Sequence, residues 1–270
     1  MQSSHQVVSY KRYAANTLET VESPVISEAA VILTINGQAW LEFLCTPTYL
    51  EALAVGFLFN ENLITSMADL ALVHMCDAGD NIDVWTTKPI TKPAVWRRTS
   101  GCGGGATAQV ASSPAPISDP IVNSSGYTQK TPIDFSISPA VLLRLMQELT
   151  GSQDLYHKAR GVHSAALSDG EGLFLQVEDI GRHNTLDKIA GRLLLEAPSL
   201  QSRILLATGR VSSEMLQKAQ RIGVGVVISR TSPTTLSIRM AQAEGITLIG
   251  YARHDQFNVY THSERISLAS

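Results

Sequence analysis

The stretch Thr99-Ser100-Gly101-Cys102-Gly103-Gly104-Gly105-Ala106 sets one thiol among four glycines. Glycine has no Cβ, so the backbone here reaches positive φ without steric cost and the sulfur stands clear of neighbouring side chains. A thiolate becomes a useful nucleophile when a positive potential lowers its pKa, and Arg97 and Arg98 are close by in sequence. The competing reading is a flexible linker whose cysteine is incidental. Cys45 and Cys76 lie in apolar runs and read as small strand hydrophobes, leaving Cys102 as the one cysteine in a reactive setting.

A second group of chemically able residues recurs at predicted strand ends. Glu178–Asn184, Thr208–Ser213, Ser229–Pro233 and Tyr251–Gln256 each follow a short apolar run, and they carry Arg182, Arg210, Arg230 and Arg253. If those strands run parallel, their carboxyl ends share one edge, where ligands of open α/β sheets bind. Arginines beside helix N-termini rich in Asn, Ser and Thr favour anions, so the edge reads as a site for a phosphate-bearing, nucleotide-like ligand. Each arginine taken singly is an ordinary surface or capping residue. No Gly-x-Gly-x-x-Gly follows a strand and no Gly-Lys-Ser/Thr occurs, which removes the common dinucleotide and P-loop readings.

Other chemistries find less support. His157, His163, His183, His254 and His262 lack a His-Glu-x-x-His pattern, or a His-x-Glu with Pro-Cys-x-x-Cys, so no metal site is expected. No Gly-x-Ser-x-Gly elbow is present, and Ser212 and Ser213 read as helix caps. Glu178 and Asp179 read as solvated strand-end groups or partners of Arg182, ahead of an acid/base role. His183 either orients a ligand or caps a helix.

These groups need a frame. Val31–Ile35 and Ala39–Phe43 flank Asn36-Gly37, the pair suited to a type I′ hairpin. Thr46-Pro47 is expected to start a helix through Leu58 that covers this hairpin, after which Leu70–Cys76 and Asn81–Thr87 form a second hairpin. The residues before Val31 read as a polar start. From Ala106 to Thr131 the chain is rich in Ser, Pro, Thr, Asn and Gly without periodicity, a long connection. Ser138-Pro139 opens a helix ending near Gly151, and Gly161–Leu167 pairs with Gly172–Val177. Three strand-to-helix units follow, the first helix signalled by Asn184 with Asp187, the third by Pro233, and Thr247–Ile249 is a last strand. The expected architecture is α/β, with a mostly parallel sheet covered on both faces.

Length and composition agree. A chain of 270 residues, 44% hydrophobic and 17% charged, suits two soluble domains with a sizeable core. The net charge of −3, with acids and bases interspersed, provides no basic stripe for nucleic acid. No leader-like h-region and no run long enough to span a bilayer is found, and three cysteines with no paired spacing fit a reducing compartment, so a cytoplasmic location is expected, with no membrane partner.

The order of these features resembles one family over nearly the whole chain. The residues that carry it are Leu53–Leu58 after Thr46-Pro47-Thr48, Gly101-Cys102-Gly103, Arg160–Ala166, Glu178–Asn184, Thr208–Met215 and Tyr260-Thr261-His262. The chain resembles the formate dehydrogenase accessory sulfurtransferases of FdhD type. That resemblance implies a sulfurtransferase that accepts persulfide sulfur from a cysteine desulfurase and passes it to the molybdenum bis(molybdopterin guanine dinucleotide) cofactor of formate dehydrogenase. It implies a homodimer, a three-layer α/β/α domain of cytidine-deaminase-like type without zinc ligands over residues 136–270, a smaller β-rich α+β domain over 1–98, and a Gly-rich cysteine loop and linker over 99–135. By position Cys102 matches the persulfide carrier, and Tyr251, Ala252, Arg253, His254, Asp255 and Gln256 match the guanine dinucleotide segment. Arg182, His183, Asn184, Arg210, Ser212 and Arg230 are added from the strand-edge reading. Gly105 stands where the family pattern Cys-x-x-Cys has its second cysteine, which excludes a resolving thiol in the loop. The alternative is a cofactor-binding chaperone that transfers no sulfur.

Overall fold

A two-stranded ribbon leads the fold. β1 (His5–Ala14) and β2 (Thr17–Ile26) pair antiparallel from His5 opposite Ile26 to Ala14 opposite Thr17. Ala15 and Asn16 between them have φ of 48° and 61°, as a two-residue hairpin requires. The sequence reading missed this ribbon because both of its faces meet solvent, so no alternation of buried and exposed positions marks it. The computed structural model describes residues 3–93, 96–98, 106–108, 136–196 and 204–268.

β3 (Ala29–Ile35) and β4 (Gln38–Cys45) form the expected hairpin, with Asn36 and Gly37 at φ 50° and 79°. Helix α1 (Leu50–Asn60) follows, and the next hairpin comprises β5 (Leu70–Met75) and β6 (Asn81–Thr86). The sheet order is β4-β3-β6-β5, and β6 runs parallel to β3, a pairing that no local signal announced. α1 starts at Leu50 behind Tyr49 in the left-handed region (φ 52°), not at Thr46-Pro47 as expected. Thr46 is drawn away from capping because its N–H donates to Asp179 Oδ2 (3.1 Å) and its Oγ1 accepts from Ile180 N (3.2 Å). Nor does α1 offer only one apolar face: Ala52 to Phe59 are all buried, because the helix is packed on several sides.

Beyond the short antiparallel pair β7 (Trp96–Arg98) and β8 (Ala106–Ala108), α2 (Pro139–Gly151) begins where expected, Ser138 Oγ accepting from Val141 N (3.4 Å). The short α3 (Asp154–Ala159) leads to β9 (His163–Ser168), β10 (Leu173–Asp179), α4 (Arg182–Glu196), β11 (Ile204–Ala207), α5 (Ser213–Ile222), β12 (Val226–Ser229), α6 (Thr235–Glu244), β13 (Thr247–Arg253) and β14 (Gln256–Val259). The sheet order is β10-β9-β11-β12-β13-β14. Only β11-β12-β13 are mutually parallel neighbours; β9 opposes both β10 and β11, and β14 opposes β13. The mostly parallel sheet of the sequence reading is therefore corrected to a mixed one. Uniformly apolar strands record burial on two faces, and that burial is equally met by an antiparallel neighbour inside three layers.

Burial follows the pleat. Ala166, Ile204, Leu206, Val226, Ile228 and Ile249 face α2, whereas Ala165, Leu167, Leu205, Val227 and Leu248 join the core beneath α4, α5 and α6. That second core continues through α1 into β3, β4 and β6, so the four-stranded sheet and the six-stranded sheet share one apolar cluster. The crossing of α1 and α4 is glycine-dependent. A Cβ on Gly56 would fall inside the Asp187 carbonyl oxygen and 2.6 Å from Gly191 N, and one on Gly191 would fall inside the Ala52 carbonyl oxygen. Among the described residues, no helix is long and apolar enough to cross a membrane.

Candidate functional site

Topology gathers the strand ends. Because β10, β11, β12 and β13 point the same way, their carboxyl ends lie on one edge of the sheet, joined by the start of β9 at His163 and by the β13–β14 turn. The N-termini of α4, α5 and α6 open onto the same edge, each a positive dipole end. Ser212 Oγ accepts from Met215 N (3.4 Å) and Thr234 Oγ1 from Ser237 N (3.2 Å), so α5 and α6 are each capped.

Beneath the edge lies a buried polar floor. Asp179 Oδ2 is 2.6 Å from Lys188 Nζ, both fully buried, and Oδ1 accepts from Gly181 N (2.7 Å) and Asn184 Nδ2 (2.9 Å). Asn184 Nδ2 also donates to Leu44 O (2.9 Å), and Lys188 Nζ to Thr46 O (2.9 Å). These bonds hold the β10–α4 turn against the β4–α1 connection. One turn along α4, Asp187 receives Lys218 Nζ at 2.6 and 2.7 Å and Asn60 Nδ2 at 2.7 Å, and burial pushes its carboxyl pKa up. Asn184 with Asp187 is therefore not a helix start signal. α4 begins two residues earlier, at Arg182, and both side chains brace the domain interior.

Above the floor lie Arg182, His183, His163 and Glu214. Arg182 and His183 are 4% and 3% exposed in the first turn of α4. Gly209 comes so close that a Cβ there would stand 3.0 Å from Arg182 Cβ and 3.3 Å from His163 Nδ1. His183 Nε2 is 3.5 Å from Glu214 Oε2, and neither ring nitrogen makes a hydrogen bond among the described residues. Burial, helped by Lys218, Arg182, His163 and Arg210, holds the His183 imidazole down to about 3. His163 is likewise held low, by burial and then by Arg182. The edge thus sets two imidazoles, both held low, among Arg182, Arg210 and Lys218, with Glu214 beside one ring and Asp179 acting on the other. Arg210 is exposed above them. Sequence reasoning overlooked His163 and Glu214 as neighbours of this cluster. Glu214 in the first turn after its Ser212 cap is a local signal; His163 has none beyond its place at a strand start.

A second part of the edge lies toward α2. Arg253 Nε donates to Arg230 O (3.0 Å), and the β13–β14 turn places Ala252, Arg253 and His254 with Arg230 against Leu143, Met146, Gln147 and Thr150, enclosing about 160 Å³. Tyr251 and His254 both have positive φ (55° and 54°), and Tyr251 is 45% exposed. β13 runs on to Arg253, past the expected end at Ile249, and the unforeseen β14 makes residues 251–256 a hairpin tip with Asp255 and Gln256 exposed. The predicted residues therefore divide: Arg182, His183, Asn184, Arg210 and Ser212 stand around the starts of α4 and α5, and Arg230 with Tyr251–Gln256 stands at the β12 and β13 ends. Glu178 is turned inward, accepting from Leu155 N (2.8 Å) and Tyr156 N (3.0 Å) at α3. Cys102 lies outside the described residues; the strands that flank it in sequence pair with Arg98 opposite Ala106.

Comparison with known proteins adds an independent line. The sequence model of the FdhD/NarQ family matches residues 26–267. A protein of Bacillus subtilis named "Sulfur carrier protein FdhD" is 35% identical over 260 residues, covering 94% of this chain and 95% of its own. A protein of the same name from Listeria monocytogenes is 34% identical over 268 residues, 98% of each chain. The crystal structure of a protein described as a formate dehydrogenase accessory protein, from Desulfotalea psychrophila, superposes with a TM-score of 0.74 at 24% identity, over 98% of this chain and 100% of that one. With a mixed α/β fold matched end to end and sequence relatives spanning nearly its full length, this chain belongs to the FdhD/NarQ family.

Proposed function

We propose that this protein is a cytoplasmic sulfur carrier in the maturation of formate dehydrogenase. Its full-length similarity to relatives named sulfur carriers is the observation that carries this reading. Cys102 takes the sulfur: its thiolate attacks the outer sulfur of a persulfide on a cysteine desulfurase, the donor's S–S bond breaks, the donor cysteine leaves as thiolate, and Cys102 holds the new persulfide. Gly105 in place of a second loop cysteine means that no loop disulfide competes with that persulfide. The sulfur is then passed to the molybdenum bis(molybdopterin guanine dinucleotide) cofactor, the substrate, before formate dehydrogenase receives it. The protein acts as a homodimer.

The donor set at the strand edge fits such a substrate. Guanidinium groups on Arg210, Arg230 and Arg253 and three helix N-termini suit pyrophosphate oxygens, with Arg182 and the one N–H of the neutral His183 ring buried behind them. Tyr251–Gln256 offer the exposed hairpin tip for a guanine base. Asn184 and Ser212 hold the frame of the site, since their polar groups are engaged in the interior and in the α5 cap. Incubation with a cysteine desulfurase and cysteine, followed by intact-mass measurement, tests the carrier step. One added sulfur that is lost in Cys102→Ala and on reduction is expected; none on the wild type refutes it. Titration with guanine nucleotides tests the edge, with Arg253→Ala expected to weaken binding and an unchanged affinity counting against it.

The missing second cysteine favours one other reading, a cofactor-binding chaperone that transfers no sulfur. If Cys102→Ala abolishes formate dehydrogenase maturation while nucleotide binding is kept, the chaperone reading falls.

A further inference from the structure

The β1–β2 ribbon, packed against α3 through β2, leaves six large apolar side chains exposed to solvent. Val7, Tyr13 and Leu18 are 66%, 67% and 67% exposed, and Val8, Tyr10 and Val25 are 41%, 42% and 41% exposed. Isolated two-stranded hairpins are marginal; a third strand or a covered apolar face makes them stable.

The hydrogen-bond phase of the ladder says which edge is open. Ser27 N donates to Ser4 O (2.9 Å), so this pair is a bonded one, and bonded and non-bonded pairs alternate along an antiparallel ladder. Even-numbered residues of β1 therefore turn their amides inward to β2, and His5, Val7, Ser9, Lys11 and Tyr13 turn theirs outward. On β2 the outward positions include Pro24, opposite Val7, which has no N–H to give. One edge is blocked by proline in its middle, and the edge of β1 offers unbroken donors and acceptors.

We propose that the outer edge of β1 is where two copies of this chain associate, their β1 strands pairing antiparallel about Ser9 to join both ribbons into one four-stranded sheet. This rests on the homodimer proposed above and adds the surface that makes it. The strand is self-complementary in that register. Val7 stands opposite Lys11, His5 opposite Tyr13, Gln6 opposite Arg12 and Val8 opposite Tyr10, with no like charges facing and an aromatic residue against a β-branched one. Centring on Lys11 would set two ammonium groups face to face. About Ser9, Val8, Tyr10 and Val21 of each copy line one continuous face of the joined sheet, and the pairing is isologous, as a two-fold dimer demands.

The test uses the same phase argument. Ser9→Pro removes an outward donor and no bond of the β1–β2 ladder, as Pro24 shows on the opposite strand. Sedimentation velocity of the full chain should give a dimer for the wild type and a monomer for Ser9→Pro, with the far-ultraviolet circular dichroism of the two alike. A wild-type monomer overturns the homodimer itself; a wild-type dimer with an equally dimeric Ser9→Pro overturns the edge assignment alone. Cross-linking guards against a ribbon damaged by proline. Under mild oxidation Ser9→Cys should yield a disulfide-linked dimer absent from the wild type, and Glu22→Cys, on the proline-blocked edge, should not. The reverse pattern overturns the proposal.

Discussion

Lowering the pH should weaken this fold through one histidine. The His183 ring is 3% exposed and stays neutral down to about 3, against an ordinary 6.5, chiefly through burial and further through Lys218, Arg182, His163 and Arg210. In the unfolded chain the ring takes up a proton near pH 6.5, so below that pH the unfolded state binds one more proton than the native state. A depressed native pKa gives stability that is complete above 6.5 and is lost as pH falls from 6.5 toward 3. One proton of difference changes stability by about 1.4 kcal/mol per pH unit, so the loss by pH 5 is about 2 kcal/mol. Glu214, 3.5 Å from Nε2, is the acid facing the ring. His183→Gln removes the titration and keeps an amide in its place. Urea unfolding at pH 8, 7, 6 and 5, followed by circular dichroism, should show a variant whose stability falls by about 2 kcal/mol less than the wild type across that range. Parallel curves for the two proteins would refute the reasoning. His163, held low by burial and Arg182, adds acid sensitivity of the same sign to both proteins.

Other outcomes follow from the same contacts. Gly191→Ala should cost about 3 kcal/mol or more in thermal unfolding, because its Cβ meets α1 backbone that has nowhere to go, whereas Gly151→Ala, with open space around it, should be close to neutral. Lys188→Met strips the ammonium from a fully buried Asp179 carboxylate, and chemical denaturation should register a loss of about 3–5 kcal/mol. Cys45 is fully buried and its thiol is pushed up to about 12 by burial and by Asp179, so iodoacetamide at pH 8 should leave it unmodified in the native protein and alkylate it in urea. Partly exposed Cys76 should react in both states.

Where short-range signals and burial agreed, the fold could be read early. Asn36-Gly37 predicted its hairpin because only residues that tolerate positive φ fit the turn, and Ser138-Pro139 predicted α2 through capping. The same local logic failed at Thr46, whose hydroxyl and amide are taken by Ile180 and Asp179 from across the molecule. It failed again at Asn184 and Asp187, whose spacing imitates a cap while their side chains answer to Leu44, Asn60 and Lys218.

The sequence by itself determined the strand-to-helix order, the turns and caps, the thiol among glycines and the arginines after each apolar run, since each is written in neighbours a few residues apart. Strand direction, and with it the sharing of one edge by β10, β11, β12 and β13, was decided by tertiary structure: a fully buried strand has the same composition whether its neighbour runs with it or against it. The neutral state of His183 belongs to that level too. Its environment is made by Lys218, Arg210 and Glu214 from α5 and its approach, and by His163 from β9, groups brought beside it only when the sheet and its helices close.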